Sequence, residues 1–325
     1  MRQLAGTITF IILLLNGQVL AVNSSLKTAD AVEREHFVYY FDNPSYINTA
    51  DKVLLDVRDR LSKLVNDTLP YKPSVYIVED IVHFNDLIRG KFPDWGAAAA
   101  FPERRLIAIK SPDKFNIQHS LEELLAHEYS HLVVAHKTGF KSAPRWFDEG
   151  MAMYISMEWS WSDNLAMSKA AVFGQFINLK AIEKVNRFNA SKAHVAYAQS
   201  YLAIKYLIDN YGINSLQVFL DEISKGASIS KALLNATGSN YIEFESDYKE
   251  ELNKRFNIIS LFMDTMFFWL GLAILVIVGA FLKYKKRRQY YKKWDEEERL
   301  QSTDFDYGDM EHPEKIDDED EPWRE

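Results

Sequence analysis

The feature that most constrains this chain is an apolar stretch over residues 266–282 that contains no charged side chain. With its flank from about Ile258, it reaches the roughly 20 residues that a helix needs to cross the hydrocarbon core of a bilayer. The basic run KYKKRR follows directly, at residues 283–288. Because positive side chains stay on the cytoplasmic side of a membrane, the pattern predicts one transmembrane helix over residues 258–282 and a cytoplasmic C-terminus. The alternative is a buried core helix, which rarely carries so long an uncharged run before a basic block.

The N-terminus has the three parts of a secretory signal peptide. Arg2 precedes an apolar stretch over residues 8–15, and the segment V-L-A, which ends at Ala21, suits a cleavage position. We therefore predict a signal peptide over residues 1–21, with a buried first helix or an uncleaved anchor as alternatives. Export agrees with the charge bias around the apolar stretch. Both predict that residues 22–257 face the periplasm or the extracellular space.

The acidity of the chain comes from its last part. The formal net charge is -8, whereas residues 295–325 alone contain 15 acidic and 3 basic side chains. Residues 283–325 thus form a cytoplasmic tail that is first basic and then acidic, and the part after Trp294 is predicted to be disordered. Outside this tail the positive charge is concentrated in one basic run, so we expect no nucleic-acid partner.

Residues 22–257 contain no fixed repeat and no Pro/Gly-rich linker, so we predict one domain. Its first part contains short strand patterns, whereas the apolar spacing is helical from Gln118 onward. The predicted fold class is α+β, a small mixed β-sheet followed by a mainly helical part. Strands are predicted at residues 36–41, 74–78, 96–101 and 105–110, and helices at 49–65, 119–136, 145–158, 163–175, 194–211, 214–224, 228–236 and 240–256.

Two histidines on one predicted helix are candidate metal ligands. In the segment LEELLAHEYSHLVVAH, His127 and His131 are four residues apart, so both imidazoles lie on one face of the helix. The chain contains no cysteine, so a metal must be bound through His and carboxylate side chains. Two such imidazoles suit one Zn²⁺ ion, and Glu128 is positioned to reach a metal-bound water.

A second motif, W-F-D-E-G at residues 146–150, follows at the start of the next predicted helix. The two motifs together resemble the gluzincin zinc metallopeptidases, the thermolysin-like and aminopeptidase-like clan, and within it the peptidase MA-like group. In these enzymes H-E-x-x-H precedes a ligand Glu inside W-x-x-E-G. The resemblance covers about residues 70–215, and the two motifs in this order are far more specific than either one.

The resemblance implies a hydrolase of peptide bonds. His127, His131 and Glu149 would bind Zn²⁺, and Glu128 would be the general base that activates a zinc-bound water. The substrate is then a peptide or protein, cleaved near the membrane surface to which one C-terminal helix anchors the enzyme.

The sequence departs from the family pattern in three respects, the first being a slightly shorter spacing between His131 and Glu149. Residues 94–100 replace the segment with which aminopeptidases hold a substrate amino terminus, so the resemblance does not extend to amino-terminal trimming. Met153 stands where some members carry a carboxylate that orients a zinc-bound histidine. The strand predicted around residues 97–101 is also a candidate sheet edge that pairs with an extended substrate. An ordinary packed Ala-rich segment is the alternative.

A tyrosine on a later helix is the candidate oxyanion donor. Aminopeptidase-like gluzincins present such a tyrosine in a Y-x-K-G segment, and Tyr197 begins the similar segment Y-A-Q-S, in which Gln199 and Ser200 replace Lys and Gly. The resemblance implies that the Tyr197 hydroxyl donates a hydrogen bond to the oxyanion. Tyr201 and His194 are competing candidates, and packing is an alternative for all three.

Two other functions fit parts of the sequence. A pseudoenzyme that scaffolds a membrane complex would lack Glu128 or a metal ligand, whereas all of these are present. A sensor that relays a signal to the cytoplasmic tail is compatible with peptidase activity, but the tail contains no recognisable docking motif. The leading prediction is therefore a membrane-anchored zinc peptidase.

Overall fold

The computed structural model describes residues 31–89 and 96–300. The predicted signal peptide and the tail beyond Leu300 lie outside the described residues. The chain divides into two compact units, the first ending at Thr265 and the second beginning at Met266. The first unit combines a small mixed sheet with a larger set of helices, which confirms the predicted α+β class.

The sheet is built from β1 (Ala31–Glu33), β2 (Val38–Phe41), β3 (Ser74–Val78), β4 (Ala98–Phe101) and β5 (Leu106–Lys110). Their spatial order is β1-β2-β3-β5-β4. β2, β3 and β5 are parallel, whereas β1 and β4 run antiparallel to their neighbours. A 3-10 turn at Pro102–Arg104 joins β4 to β5. β4 therefore lies at one edge of the sheet, the position of the candidate edge strand at residues 97–101.

Helices connect the strands and follow them. α1 (Tyr46–Val65) links β2 to β3, α2 (Ile81–Ile88) follows β3, and α3 (Pro112–Phe115) follows β5. The later helices of the first unit are α4 (Leu121–Lys137), α5 (Arg145–Ser156), α6 (Trp161–Val172), α7 (Ala190–Tyr211), α8 (Ile213–Ser224), α9 (Ile229–Thr237), α10 (Tyr241–Arg255) and α11 (Ile258–Asp264), with a 3-10 segment at Leu179–Arg187 before α7. The helices predicted between Gln118 and residue 256 are confirmed with small shifts at their ends. β1, α2, α3 and the 3-10 segment were not predicted.

Alternate side chains of β5 face two different cores. Ile107 and Ile109 belong to the main core, whereas Leu106 and Ala108 pack with α2 in a smaller core. A strand that is buried on both faces shows this period of two. α4 packs against β4 and β5, α5 packs on α4, and α7 packs on α5. The helix that carries both histidines is therefore enclosed between the sheet and other helices.

The second unit contains α12 (Met266–Leu300), and the apolar side chains described between residues 268 and 294 are exposed. Among the described residues it is the one helix long and apolar enough to cross a membrane. The span predicted from residue 258 is divided at Thr265. The backbone of Thr265 is not helical, with φ -102° and ψ 1°. α12 then continues past the basic run to Leu300. Residues 295–300 are therefore helical where disorder was predicted, because Glu-rich sequence readily extends a helix that has already formed.

Candidate metal centre

α4 presents the two histidines from a helix whose start is fixed by a capping box. The Glu123 backbone N–H donates to the Ser120 hydroxyl at 3.1 Å, and the Ser120 backbone N–H donates to the Glu123 carboxylate at 2.9 Å. His127 and His131 lie one turn apart, with ring centroids separated by 5.0 Å. Both side chains are buried, so their ring nitrogens need partners from the protein or from a ligand.

α5 brings a carboxylate to these histidines. Trp146 and Phe147 are buried in the core, where the Phe147 ring stacks on Phe219 with centroids 4.7 Å apart. Gly150 packs directly on α7, since a Cβ atom at this position would lie 2.2 Å from a backbone carbonyl oxygen of that helix. Trp146 and Phe147 are therefore core residues, and Gly150 permits the close approach of α5 to α7. These contacts fix α5, and with it Glu149, against α4.

His127, His131 and Glu149 form one buried cluster. One possible ligand atom from each side chain lies within 4.8 Å of the others. The Nε2 atom of His127 is 3.6 Å from Oε2 of Glu149. Two imidazole nitrogens and one carboxylate oxygen are a donor set that zinc accepts in sites with an open position. The structure thus brings together the three residues singled out from the sequence, and together they could hold a metal ion.

A further carboxylate lies next to each histidine. His127 Nδ1 lies 2.9 Å from Glu158 Oε1, and His131 Nδ1 lies 2.9 Å from Asp148 Oδ1. The first contact is a hydrogen bond, which fixes the orientation of the His127 imidazole and leaves its Nε2 atom for a metal. The second is a close charge contact without hydrogen-bond geometry. Sequence reasoning missed both carboxylates. Asp148 was visible inside W-F-D-E-G, whereas Glu158, which lies just beyond α5, replaces the carboxylate that is missing at Met153.

Arg145 places a positive charge next to the carboxylate ligand. A guanidinium nitrogen of Arg145 lies 2.9 Å from Glu149 Oε1, one turn further along α5. Burial alone would raise the pKa of Glu149, but Arg145 and then His127 lower that pKa to about 2. Glu149 is therefore ionised at neutral pH, which is the form that a metal ligand requires.

Glu128 is buried beside the cluster. Burial raises the pKa of Glu128 to about 7, although the nearby His127 and His131 act to lower it. Its Oε2 atom has no hydrogen-bond partner within the described residues. A carboxyl group whose pKa lies near neutrality can both accept and return a proton during catalysis.

Tyr197, on α7, lies close to the charged groups of α5. Burial raises the pKa of its hydroxyl well above the ordinary value, and Glu149 acts in the same direction. The Arg145 guanidinium opposes that change through its charge and through a hydrogen bond to Tyr197. The hydroxyl of Tyr197 is therefore a neutral donor next to the metal-ligand cluster.

The two competing donors have other surroundings. The ring of Tyr201 stacks on Trp159 with centroids 4.8 Å apart. His194 Nε2 lies 2.8 Å from Asp163 Oδ1, which ties α7 to α6. Burial alone would raise the pKa of Asp163, but hydrogen bonds from His194 and Ser160 hold that pKa below its ordinary value. Tyr201 thus has a packing role, and His194 belongs to a separate hydrogen-bonded pair.

A cavity of about 1300 Å³ lies beside the metal-ligand cluster. Glu158 and Tyr197 line it on the cluster side, while Asp163, Lys169 and His194 line it from α6 and α7. This volume lies above the roughly 300–1,000 Å³ that is typical of sites for small organic ligands, so the cavity has room for a larger ligand. His127, His131 and Glu149 do not line this cavity themselves, and Glu158, whose carboxylate contacts His127, connects the cavity to the cluster.

Comparison with known proteins gives two findings. The sequence model of the Peptidase MA superfamily matches residues 57–254, which is more than half of the chain and includes α4 and α5. The uncharacterized protein YhcO of Bacillus subtilis (strain 168) is 28% identical over 138 residues, which cover 41% of this chain and 42% of YhcO. The chain therefore spans less than half the length of this relative.

Proposed function

The chain belongs to the Peptidase MA superfamily, and from that premise we propose that it is a membrane-anchored zinc metallopeptidase that hydrolyses peptide bonds outside the cytoplasm. The observation that carries the proposal is the cluster of His127, His131 and Glu149, whose ligand atoms lie within 4.8 Å of one another. Glu128 follows His127 on the same helix and is equally buried, so a candidate base and the candidate ligands share one site.

The donor set suits zinc better than the common alkaline-earth ions. Buried polar atoms are nearly always paired, yet His131 Nε2 and Glu128 Oε2 have no hydrogen-bond partner within residues 31–89 and 96–300. Imidazole nitrogens favour zinc, whereas calcium and magnesium prefer oxygen ligands. His127, His131 and Glu149 would hold the ion. When bound, zinc would supply a Lewis acid that lowers the pKa of a water and polarises the peptide carbonyl.

The residues of the chain account for the proton transfers of hydrolysis. Glu128 would accept a proton from the attacking water as its oxygen bonds to the carbonyl carbon. It would then donate that proton to the nitrogen as the C–N bond breaks. Tyr197 would donate a hydrogen bond to the carbonyl oxygen as negative charge develops there. Arg145 would hold the Tyr197 hydroxyl and the Glu149 carboxylate in position.

The proposed location follows from both ends of the chain. Exposed apolar side chains along α12 support a single membrane span, and the basic run at 283–288 supports a cytoplasmic C-terminus. The signal sequence expected over residues 1–21 supports export of the peptidase unit. We accordingly propose that the first unit acts on peptides or proteins in the periplasm or outside the cell.

A cleavage assay with the purified full chain in detergent tests this function. We expect hydrolysis of a peptide library, loss of hydrolysis with a chelator, and recovery when zinc but not magnesium is returned. Glu128→Gln is the matched inactive control, because an amide cannot take up the proton of water. Cleavage that continues after complete metal removal would contradict the proposal.

A further inference from the structure

α11 is a short, well-defined helix with one exposed apolar face. The Asn257 side chain accepts hydrogen bonds from the backbone N–H groups of Ile259 and Ser260 and so fixes the start of the helix. Ser260 Oγ lies 3.0 Å from Ser168 Oγ on α6, against which α11 packs. The exposed face consists of Ile258, Ile259, Phe262 and Met263, whose side chains are 56 to 70% exposed.

The spacing of these four residues makes the face continuous. Positions i, i+1, i+4 and i+5 share one side of a helix with 3.6 residues per turn. Ser260 points toward α6 and therefore lies outside that face. A contiguous exposed apolar surface of this kind marks an interaction site. A short amphipathic helix with bulky apolar residues on one side is suited to the boundary between headgroups and acyl chains.

Chain connectivity identifies the partner of this face. α11 ends at Asp264 and α12 begins at Met266, so Thr265 alone separates them. Consecutive Cα atoms are about 3.8 Å apart, so if the Met266 end of α12 enters a bilayer, α11 must lie close to the headgroups. On this ground, which rests on the proposed membrane anchor, we infer that the apolar face of α11 lies in the lipid–water interface.

The position of α6 gives this contact a consequence for substrate choice. α6 packs on α11 through Ser168, and it also lines the cavity through Asp163, Leu165 and Lys169. Axes of packed helices are about 8–10 Å apart, so roughly one layer of helix separates the lipid-facing helix from the cavity. Peptide segments that lie close to the outer membrane surface, such as those of membrane-anchored proteins, are therefore the substrate class.

The natural absence of cysteine permits a direct test. Single cysteines are introduced by Phe262→Cys in α11, Val276→Cys in α12 and Ile242→Cys in α10, and each is labelled with an environment-sensitive fluorophore in the full chain. Ile242 is the matched control, because it is an exposed apolar residue on a helix of the first unit, 78% exposed. The proteins are reconstituted in phospholipid vesicles with and without nitroxide-labelled lipid.

We expect blue-shifted emission and strong quenching for labels at positions 262 and 276, and a water-like, unquenched label at position 242. A water-like label at 262 together with a quenched label at 276 would overturn the inference while leaving the membrane anchor intact. An unquenched label at 276 would remove the anchor itself, and with it the ground of the inference. The two failures are thus distinguishable.

A kinetic measurement tests the consequence for substrate choice. In the double variant Ile259→Ser/Phe262→Ser, turnover of a lipid-tethered peptide should fall severalfold, whereas turnover of the same peptide in free form should be unchanged. Ile242→Ser should leave both rates as in the natural chain. Equal cleavage of the tethered peptide by the double variant and the natural chain would contradict the assignment of membrane-proximal substrates.

Discussion

The metal-ligand side of the site, on α4 and α5, and the cavity side, on α6 and α7, are supported in different ways. On the ligand side both candidate ligand histidines have a carboxylate neighbour at 2.9 Å, in the pairs His127–Glu158 and His131–Asp148. These neighbours come from one short segment around α5. On the cavity side the pair His194–Asp163 joins α7 to α6 and borders open space.

This difference assigns separate tasks to the two sides. Short pairs between buried groups fix the orientation of ligands before a metal arrives, and that preorganisation raises metal affinity. Groups that border the cavity without contacting a candidate ligand act on whatever binds there and leave the metal unaffected. Changes on the ligand side should therefore alter metal affinity, whereas changes on the cavity side should alter turnover alone. The following variants test that division.

Glu128→Gln should have the largest effect on turnover. Glu128 lies on the ligand side, but its proposed role is toward the substrate, so the variant should keep its zinc and lose hydrolysis. General acid–base catalysis contributes about 10² to 10⁴-fold, which sets the expected loss in kcat. Metal content and cleavage rate measured on one sample check both parts. Undiminished turnover would remove Glu128 as the base, and loss of zinc would show that the two tasks are not separate at this residue.

Tyr197→Phe should reduce kcat by roughly 100-fold while zinc affinity and the fold are retained. An oxyanion donor acts mainly in the transition state, so the Michaelis constant should change little. Tyr201→Phe is the matched control on the same helix, and it should behave like the natural chain because the Tyr201 ring stacks on Trp159. A wild-type kcat for Tyr197→Phe would move the assignment to Tyr201 or His194.

Glu158→Gln and Asp148→Asn should weaken zinc binding by about 10 to 100-fold each, since a carboxylate that orients a ligand histidine contributes on that scale. Asp163→Asn, on the cavity side, is the control and should leave the zinc Kd unchanged. Competition with a fluorescent chelator measures all three variants. Equal weakening by Asp163→Asn would erase the proposed difference between the two sides.

The ligand side could be predicted from the sequence because its residues lie at fixed spacings on two helices. His127 and His131 are four residues apart, so they share one face of α4 however that helix packs. Glu149 lies near the start of the next helix, α5. Glu158 could not be predicted in the same way. The sequence suggested a helix through residue 158, whereas α5 ends at Ser156 and Met157 adopts a left-handed conformation with φ 59°. That turn brings Glu158 back to His127.

The remaining differences have similar causes. β1 has three residues, too few for a period of two to be visible. α2 is a short, largely apolar run whose start depends on Asp80, whose side chain accepts a hydrogen bond from the Val82 backbone N–H. The pairing of His194 with Asp163 depends on how α6 and α7 pack. Contacts between elements that are distant in the chain carry no local pattern.

The zinc content of the purified full chain tests the central claim most directly, in the natural sequence and in two histidine variants of α4. His131→Ala removes a proposed ligand, whereas His136→Ala changes a histidine on the same helix whose ring packs edge-on against Tyr71 and Phe140. We predict one zinc ion per chain in the natural protein and in His136→Ala, and loss of stoichiometric zinc in His131→Ala. Full zinc occupancy in His131→Ala would contradict the account.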